Sequence, residues 1–101
     1  TGGDEINTAC WELSPDVVKY VKKKGLSSVM DVWFEYTNNL LSFIKKNTKK
    51  RAIIWEDAIS GGGTFPKDTI VQQWVAPVGN YTSQGFDVIV SSYDYFYLDC
   101  G

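Results

Sequence analysis

The 101-residue sequence predicts an α/β fold in which helices cover a parallel sheet. Three observations predict it. The unbroken apolar run Ala52-Ile53-Ile54-Trp55 has the pattern of a parallel strand buried on both faces. Residues 69–75 and 86–91 repeat the strand signal with β-branched and aromatic side chains. Two capped helical patterns precede the first run, so the order is strand end, helices, strand, loop, strand, short connection, strand. That order fits one side of an α/β barrel or a doubly wound sheet.

Taken in order, Asp4 and Glu5 stand at the end of a strand, and the abrupt opening Thr1-Gly2-Gly3 lacks the basic-then-apolar pattern of a signal peptide and reads as a cut. Ser14 is placed to cap a helix over 15–24, with Pro15 in a first turn that needs no N–H from it and Asp16 complementing the dipole. Lys22, Lys23 and Lys24 suit the C-terminal carbonyls, and Gly25 supplies the left-handed residue that ends the helix. A second helix is signalled by Ser28 and Asp31 at capping-box spacing, then by Val29, Val32, Trp33, Tyr36, Leu40, Phe43 and Ile44 at helical intervals, and it runs to about Lys46. The basic cluster Lys45, Lys46, Lys49, Lys50 and Arg51 reads as a solvated helix end rather than a nucleic-acid patch. Glu56 and Asp57 end the next strand. Gly61-Gly62-Gly63 lacks the Lys-Ser/Thr of a phosphate loop and reads as a connection, while residues 77–85 leave room for only a short helix or turn.

Composition narrows the function. With 44% hydrophobic and 22% charged residues and a net charge of -2, the chain resembles an ordinary globular domain with no field to attract nucleic acid or an anionic membrane. Its apolar runs fall far short of the roughly 20 residues that span a bilayer. Two cysteines, Cys10 and Cys100, and no histidine do not make a metal site, so metal catalysis is not expected. Asn80-Tyr81-Thr82 fits the N-glycosylation acceptor pattern, which matters only in a secreted chain.

Polar and aromatic residues gather where the predicted strands finish: Asp4 and Glu5, then Trp55, Glu56 and Asp57, then Trp74, then residues 93–99. In a parallel α/β fold those ends share the face that binds ligands. Four tryptophans and six tyrosines supply flat apolar surfaces with a polar handle, on which sugar rings can stack. Trp11 and Trp33 are expected in the core, whereas Trp55 and Trp74 suit either core or site. Adjacent carboxylates such as Asp4 and Glu5 repel when both are ionised, an arrangement a general acid exploits, although most such pairs are simply solvated.

The ordered motifs Gly2-Gly3-Asp4-Glu5 with Cys10-Trp11, Ile54-Trp55-Glu56-Asp57, Val71-Gln72-Gln73-Trp74, Val90-Ser91-Ser92 and Tyr97-Leu98-Asp99-Cys100-Gly101 resemble family-20 glycoside hydrolases, the β-N-acetylhexosaminidases. The ending is closest to fungal members. The resemblance implies that residues 1–101 are a fragment of the catalytic domain, a partial (β/α)8 TIM barrel from about the end of strand 4 through strand 7. It implies retaining hydrolysis of terminal non-reducing N-acetyl-β-D-hexosamine, with the substrate's 2-acetamido group as nucleophile. Glu5 would be the acid and then the base, Asp4 would orient the acetamido N–H, and Tyr97 would donate to the acetamido oxygen. Trp55 and Trp74 would wall the pocket, and Asp99 would bind a sugar hydroxyl, the 6-OH. Glu56 and Asp57 belong to the match without an implied role and are expected to be loop structure or support behind the site.

The resemblance implies neither a cofactor nor a metal. The partners are oligosaccharides ending in N-acetylglucosamine or N-acetylgalactosamine, chitin fragments included; a homodimer is among the assemblies it allows, and the setting is secreted, vacuolar or lysosomal. Cys10 and Cys100 would each bridge to a cysteine elsewhere and not to each other. The family's sugar-gripping arginine, the histidine before Gly-Gly and the last strand's tryptophan and glutamate have no counterpart here, so the remainder of the barrel is needed for turnover. An incomplete barrel would leave strand edges and apolar surface uncovered. The alternatives are a non-catalytic carbohydrate-binding relative, which retention of both Asp4 and Glu5 disfavours, and an unrelated α/β interaction domain, which would scatter Asp4, Trp74 and Tyr97.

Overall fold

The computed structural model describes residues 1–99. An extended opening segment leads into α1 (Thr8–Glu12), where Asn7 Oδ1 accepts the Cys10 N–H at 3.1 Å and so caps the first turn. A helix this short carries no periodic signal in the sequence. The next helix, α2 (Pro15–Lys24), has the predicted bounds. Gly25, at φ 66°, ends it, and bonds from Gly25 N–H to Lys22 O and from Leu26 N–H to Val21 O satisfy its last carbonyls. Ser14 occupies the N-cap position but its side chain makes no capping bond, so the start rests on the fixed φ of Pro15 and the charge of Asp16.

In α3 (Val29–Asn47), Asp31 Oδ2 reaches back to the N–H groups of Ser27 at 2.9 Å and Ser28 at 3.1 Å, fastening the first turn. The buried row is Val29, Trp33, Thr37 and Leu41. Four-residue spacing aligns these side chains on one stripe, and the polar Thr37 takes a place in it. Tyr36 and Phe43, predicted on the apolar face, are 65% and 63% exposed. Each lies off that narrow stripe.

The sheet consists of β1 (Ile53–Trp55), β2 (Ile70–Gln73) and β3 (Asp87–Val90), all parallel, in the order β1-β2-β3. Ile54, Val71 and Val88 stand in register across it. Connections are short, carrying α4 (Asp57–Ser60) and α5 (Gly79–Thr82), and α6 (Tyr93–Phe96) follows the last strand. The strand predicted over 69–75 stops at Gln73, because the next N–H groups turn toward Glu56 instead of a neighbouring strand. Before β1, the opening segment lies along that strand's free edge: Thr1 Oγ1 donates to Ile53 O at 3.2 Å and Trp55 N–H donates to Gly2 O at 3.3 Å.

Trp33 and Leu41 of α3 join Ile54, Ala58, Ile59, Phe65, Val71, Tyr81 and Phe86 in one hydrophobic core. Val71 and Ile54 at its centre are fully enclosed, as the continuous apolar runs require. At the opposite end of the strands from Trp55, Arg51 pairs with Asp87 at 2.7 Å and donates to Asp68 O at 3.0 Å, holding the three strand starts together. Lys45 pairs with Asp68 at 2.9 Å and holds that carboxyl below its usual range. These exposed pairs absorb part of the basic cluster and contribute little stability each. No helix among the described residues is long and apolar enough to cross a membrane.

The β3 side is open. Ile89 and Val90 are exposed, as are Tyr95, Phe96 and Leu98 beyond them. A patch of this kind is costly in water unless another element covers it. The 101 residues expressed alone are therefore expected to melt without a sharp cooperative transition, as followed by circular dichroism.

Candidate active site

The carboxyl ends of the strands carry the chemistry. Gly2 and Gly3 adopt φ of 74° and 91° and swing the chain out of the sheet edge toward Asp4 and Glu5. Gly3 lies so close to Trp33 that an added Cβ would come within 3.3 Å of its ring, so the core helix and the turn are packed against each other. Glu5 itself has φ 51° and is the only non-glycine residue in the left-handed region among those described. Such a conformation costs about 1–3 kcal/mol and persists where the surroundings enforce it.

Asp57, the first residue of α4, provides that enforcement. Its Oδ1 accepts the Glu5 main-chain N–H at 2.9 Å, and its Oδ2 accepts the Trp74 indole Nε1–H at 2.9 Å. One carboxylate therefore joins the segment beside β1 to the residue that follows β2.

The preceding residue, Glu56, is almost fully enclosed, at 2% exposure. Its carboxylate accepts the N–H groups of Trp74 at 2.9 Å, of Val75, and of Ala76 at 3.2 Å. The Tyr81 hydroxyl of α5 donates to the other oxygen. Burial and the bond to Glu56 together push the Tyr81 phenol well above its ordinary pKa, so it stays a donor at any physiological pH. A buried anion held by this many donors fixes the 74–76 turn more firmly than a strand pairing would.

A second set of bonds ties that turn to the loop after β3. Gln73 Nε2 donates to Ala76 O at 2.9 Å, which orients the amide so that its oxygen accepts the Ser92 hydroxyl at 3.1 Å. Gln72 Nε2 donates to Ser91 Oγ at 3.1 Å, and Tyr93 N–H donates to Trp74 O at 3.0 Å. Four residues beyond Tyr93, directly after α6, the chain brings Tyr97 against Trp74 with ring centroids 6.3 Å apart and planes 9° from parallel. The paired glutamines and paired serines thus act as a ladder that sets Trp74 and Tyr97 side by side.

The structure brings Glu5, Trp74 and Tyr97 into one connected group through Asp57, with Asp4 next to Glu5 in the chain. Asp4 and Glu5 are exposed, Trp55 and Trp74 are half-buried at the ends of β1 and β2, Tyr97 is half-buried, and Asp99 is exposed. Asn80 is exposed on α5. Trp33 is in the core as expected, and Trp11 is half-buried against it. Cys10 is exposed; its expected failure to pair with Cys100 concerns a residue outside those described. Glu56 and Asp57, expected to be loop structure or support behind the site, form the hub that joins its parts. Beyond their place in the Ile54-Trp55-Glu56-Asp57 motif, their local signal is a pair of acids directly after an apolar strand.

Residues 1–101 match the family described as glycosyl hydrolase family 20, catalytic domain. A probable beta-hexosaminidase of Arthroderma benhamiae is 36% identical over 99% of this chain and 17% of its own length. Beta-hexosaminidase 1 of Coccidioides posadasii is 34% identical over 99% of this chain and 18% of its own length. Among solved structures, the family-20 exo-β-N-acetylglucosaminidase of Vibrio harveyi in complex with N-acetylglucosamine superposes with a TM-score of 0.75 at 27% identity, covering 86% of this chain and 14% of that one. The chain thus spans less than a fifth of the length of these relatives. On the family match over all its residues, this chain belongs to glycosyl hydrolase family 20, and the match is to the family's catalytic domain.

Proposed function

We propose that the full-length protein is a β-N-acetylhexosaminidase that removes terminal non-reducing N-acetyl-β-D-hexosamine from oligosaccharides, and that this chain supplies its acid and most of its acetamide pocket. The observation that carries this reading is the junction at Asp57, which gathers the Glu5 backbone and the Trp74 indole beneath a stacked Tyr97. The names of the curated relatives support it. In the barrel, β1, β2 and β3 would be strands five, six and seven, and the exposed apolar surface of β3 would be covered by the elements that follow.

In the proposed reaction Glu5 protonates the glycosidic oxygen while the acetamido carbonyl oxygen attacks the anomeric carbon and the glycosidic bond breaks. The product is an oxazolinium ring. The Glu5 carboxylate then takes a proton from water, whose oxygen attacks the anomeric carbon and reopens the ring, so configuration is retained overall. Asp4 accepts the acetamido N–H, turning the carbonyl toward the anomeric carbon and offsetting the positive charge of the ring. Tyr97 donates to the acetamido oxygen, Trp55 and Trp74 exclude water from it, and Asp99 bonds a sugar hydroxyl. A secreted, vacuolar or lysosomal setting would suit such substrates and would make Asn80 available for glycosylation.

The test is release of 4-nitrophenol from its N-acetyl-β-D-glucosaminide by the full-length protein, with and without a thiazoline mimic of the cyclic intermediate. Turnover that the thiazoline inhibits competitively is expected. Turnover that it leaves untouched would refute acetamido participation, and absence of turnover would favour the sugar-binding alternative.

A further inference from the structure

We infer that Asp57 is a positioning residue for catalysis, aligning the general acid and the pocket wall through one carboxylate; the inference rests on the proposed role of Glu5. An acid at the first position of a helix ordinarily faces that helix's own N–H groups. Asp57 does otherwise: both oxygens are taken by groups from other segments, Glu5 N–H and Trp74 Nε1–H, each at 2.9 Å. The first of these bonds acts on a backbone that needs it. Glu5 sits at φ 51°, where side chains other than glycine's are crowded, and rotating out of that region would redirect its Cα–Cβ bond and move the carboxyl.

The second bond fixes the plane of the Trp74 ring, because an indole N–H held at its edge resists rotation about the side-chain torsions. Tyr97 stacks on that ring with planes 9° from parallel, so the orientation of one aromatic sets that of the other. Asp57 in turn is carried by α4 directly after Glu56, whose enclosed carboxylate anchors the Trp74 main chain. The two adjacent acids therefore hold the two halves of Trp74, Glu56 its backbone and Asp57 its side chain. Glu5 is joined to the same support. A misplacement of an acid by a fraction of its hydrogen-bond reach is enough to slow proton transfer, while an aglycone that departs without protonation is indifferent to it.

The experiment compares Asp57→Asn with the unaltered full-length enzyme on phenyl and on 2,4-dinitrophenyl N-acetyl-β-D-glucosaminide, reading kcat/KM, which reports the bond-cleaving step. The asparagine keeps the shape but offers an acceptor to only one of the two N–H groups. A loss of at least about tenfold is expected on the phenyl glycoside, whose aglycone must be protonated, and a several-fold smaller loss on the dinitrophenyl glycoside. Equal losses on both substrates, or none on either, would overturn the inference and leave Asp57 a purely structural residue. Glu5→Gln measured in the same pair separates the two claims. If Glu5→Gln itself shows no preference between aglycones, the acid assignment fails; if it does and Asp57→Asn does not, only the positioning role fails. Should Asp57→Asn not fold, Asp57→Glu, which keeps both acceptors one methylene further out, is read by the same criterion.

Discussion

Glu5→Gln in the full-length enzyme is expected to lower kcat/KM on the phenyl glycoside by about 10²–10⁴-fold, the range that one positioned acid contributes. Stability should change little. The Glu5 side chain is exposed, glutamine has the same length, and the bond from residue 5 to Asp57 uses the main-chain N–H, which the substitution preserves. A loss of activity in a protein whose denaturant midpoint is unchanged would separate chemistry from folding. Retention of more than a tenth of the activity would contradict the role given to Glu5.

Glu56→Ala is expected to have the largest effect on stability, about 3–5 kcal/mol, measured as the shift in unfolding free energy of the full-length protein in urea. The substitution leaves the N–H groups of Trp74, Val75 and Ala76 and the Tyr81 hydroxyl facing a buried void. Glu56→Gln keeps one oxygen for the main-chain donors and presents an amide that the Tyr81 hydroxyl can rotate to accept. It should cost about 1–2 kcal/mol, within the range of a single impaired buried hydrogen bond. An alanine variant as stable as the glutamine variant would mean that the 74–76 turn does not depend on this acceptor. Because the turn carries Trp74, the alanine variant should also raise KM in whatever fraction remains folded.

Much of the fold is legible in the sequence because its signals are local. Each strand is a short apolar run with turn residues at its ends, and α2 begins and ends where Pro15 and Gly25 say it must. The face of α3 is less so: Tyr36 and Thr37 are neighbours, and only tertiary packing decides that the threonine is buried and the tyrosine exposed. The length of β2 is set by a residue outside it, Glu56, which removes three N–H groups from the strand pattern.

The site divides in the same way. Glu5, Trp74 and Tyr97 are legible as a set through the ordered motifs that carry the family resemblance. Glu56 and Asp57 belong to the same motifs, but the way they join the others is not legible there. Asp57 meets a partner 52 positions away and another 17 away, and Glu56 meets Tyr81 25 positions away. An acidic pair after a strand reads equally well as a solvated loop, since nothing local distinguishes a carboxylate in water from one that gathers donors across the sheet.

The most direct measurement is a crystal structure of the full-length protein with the thiazoline inhibitor bound. The ring is predicted to sit against Trp74, with the Tyr97 hydroxyl and the Asp4 carboxylate on opposite atoms of the acetamide mimic and Asp57 still joined to Glu5 and Trp74. A ligand bound elsewhere, or bound there with Glu5 directed away from the anomeric carbon, would contradict it.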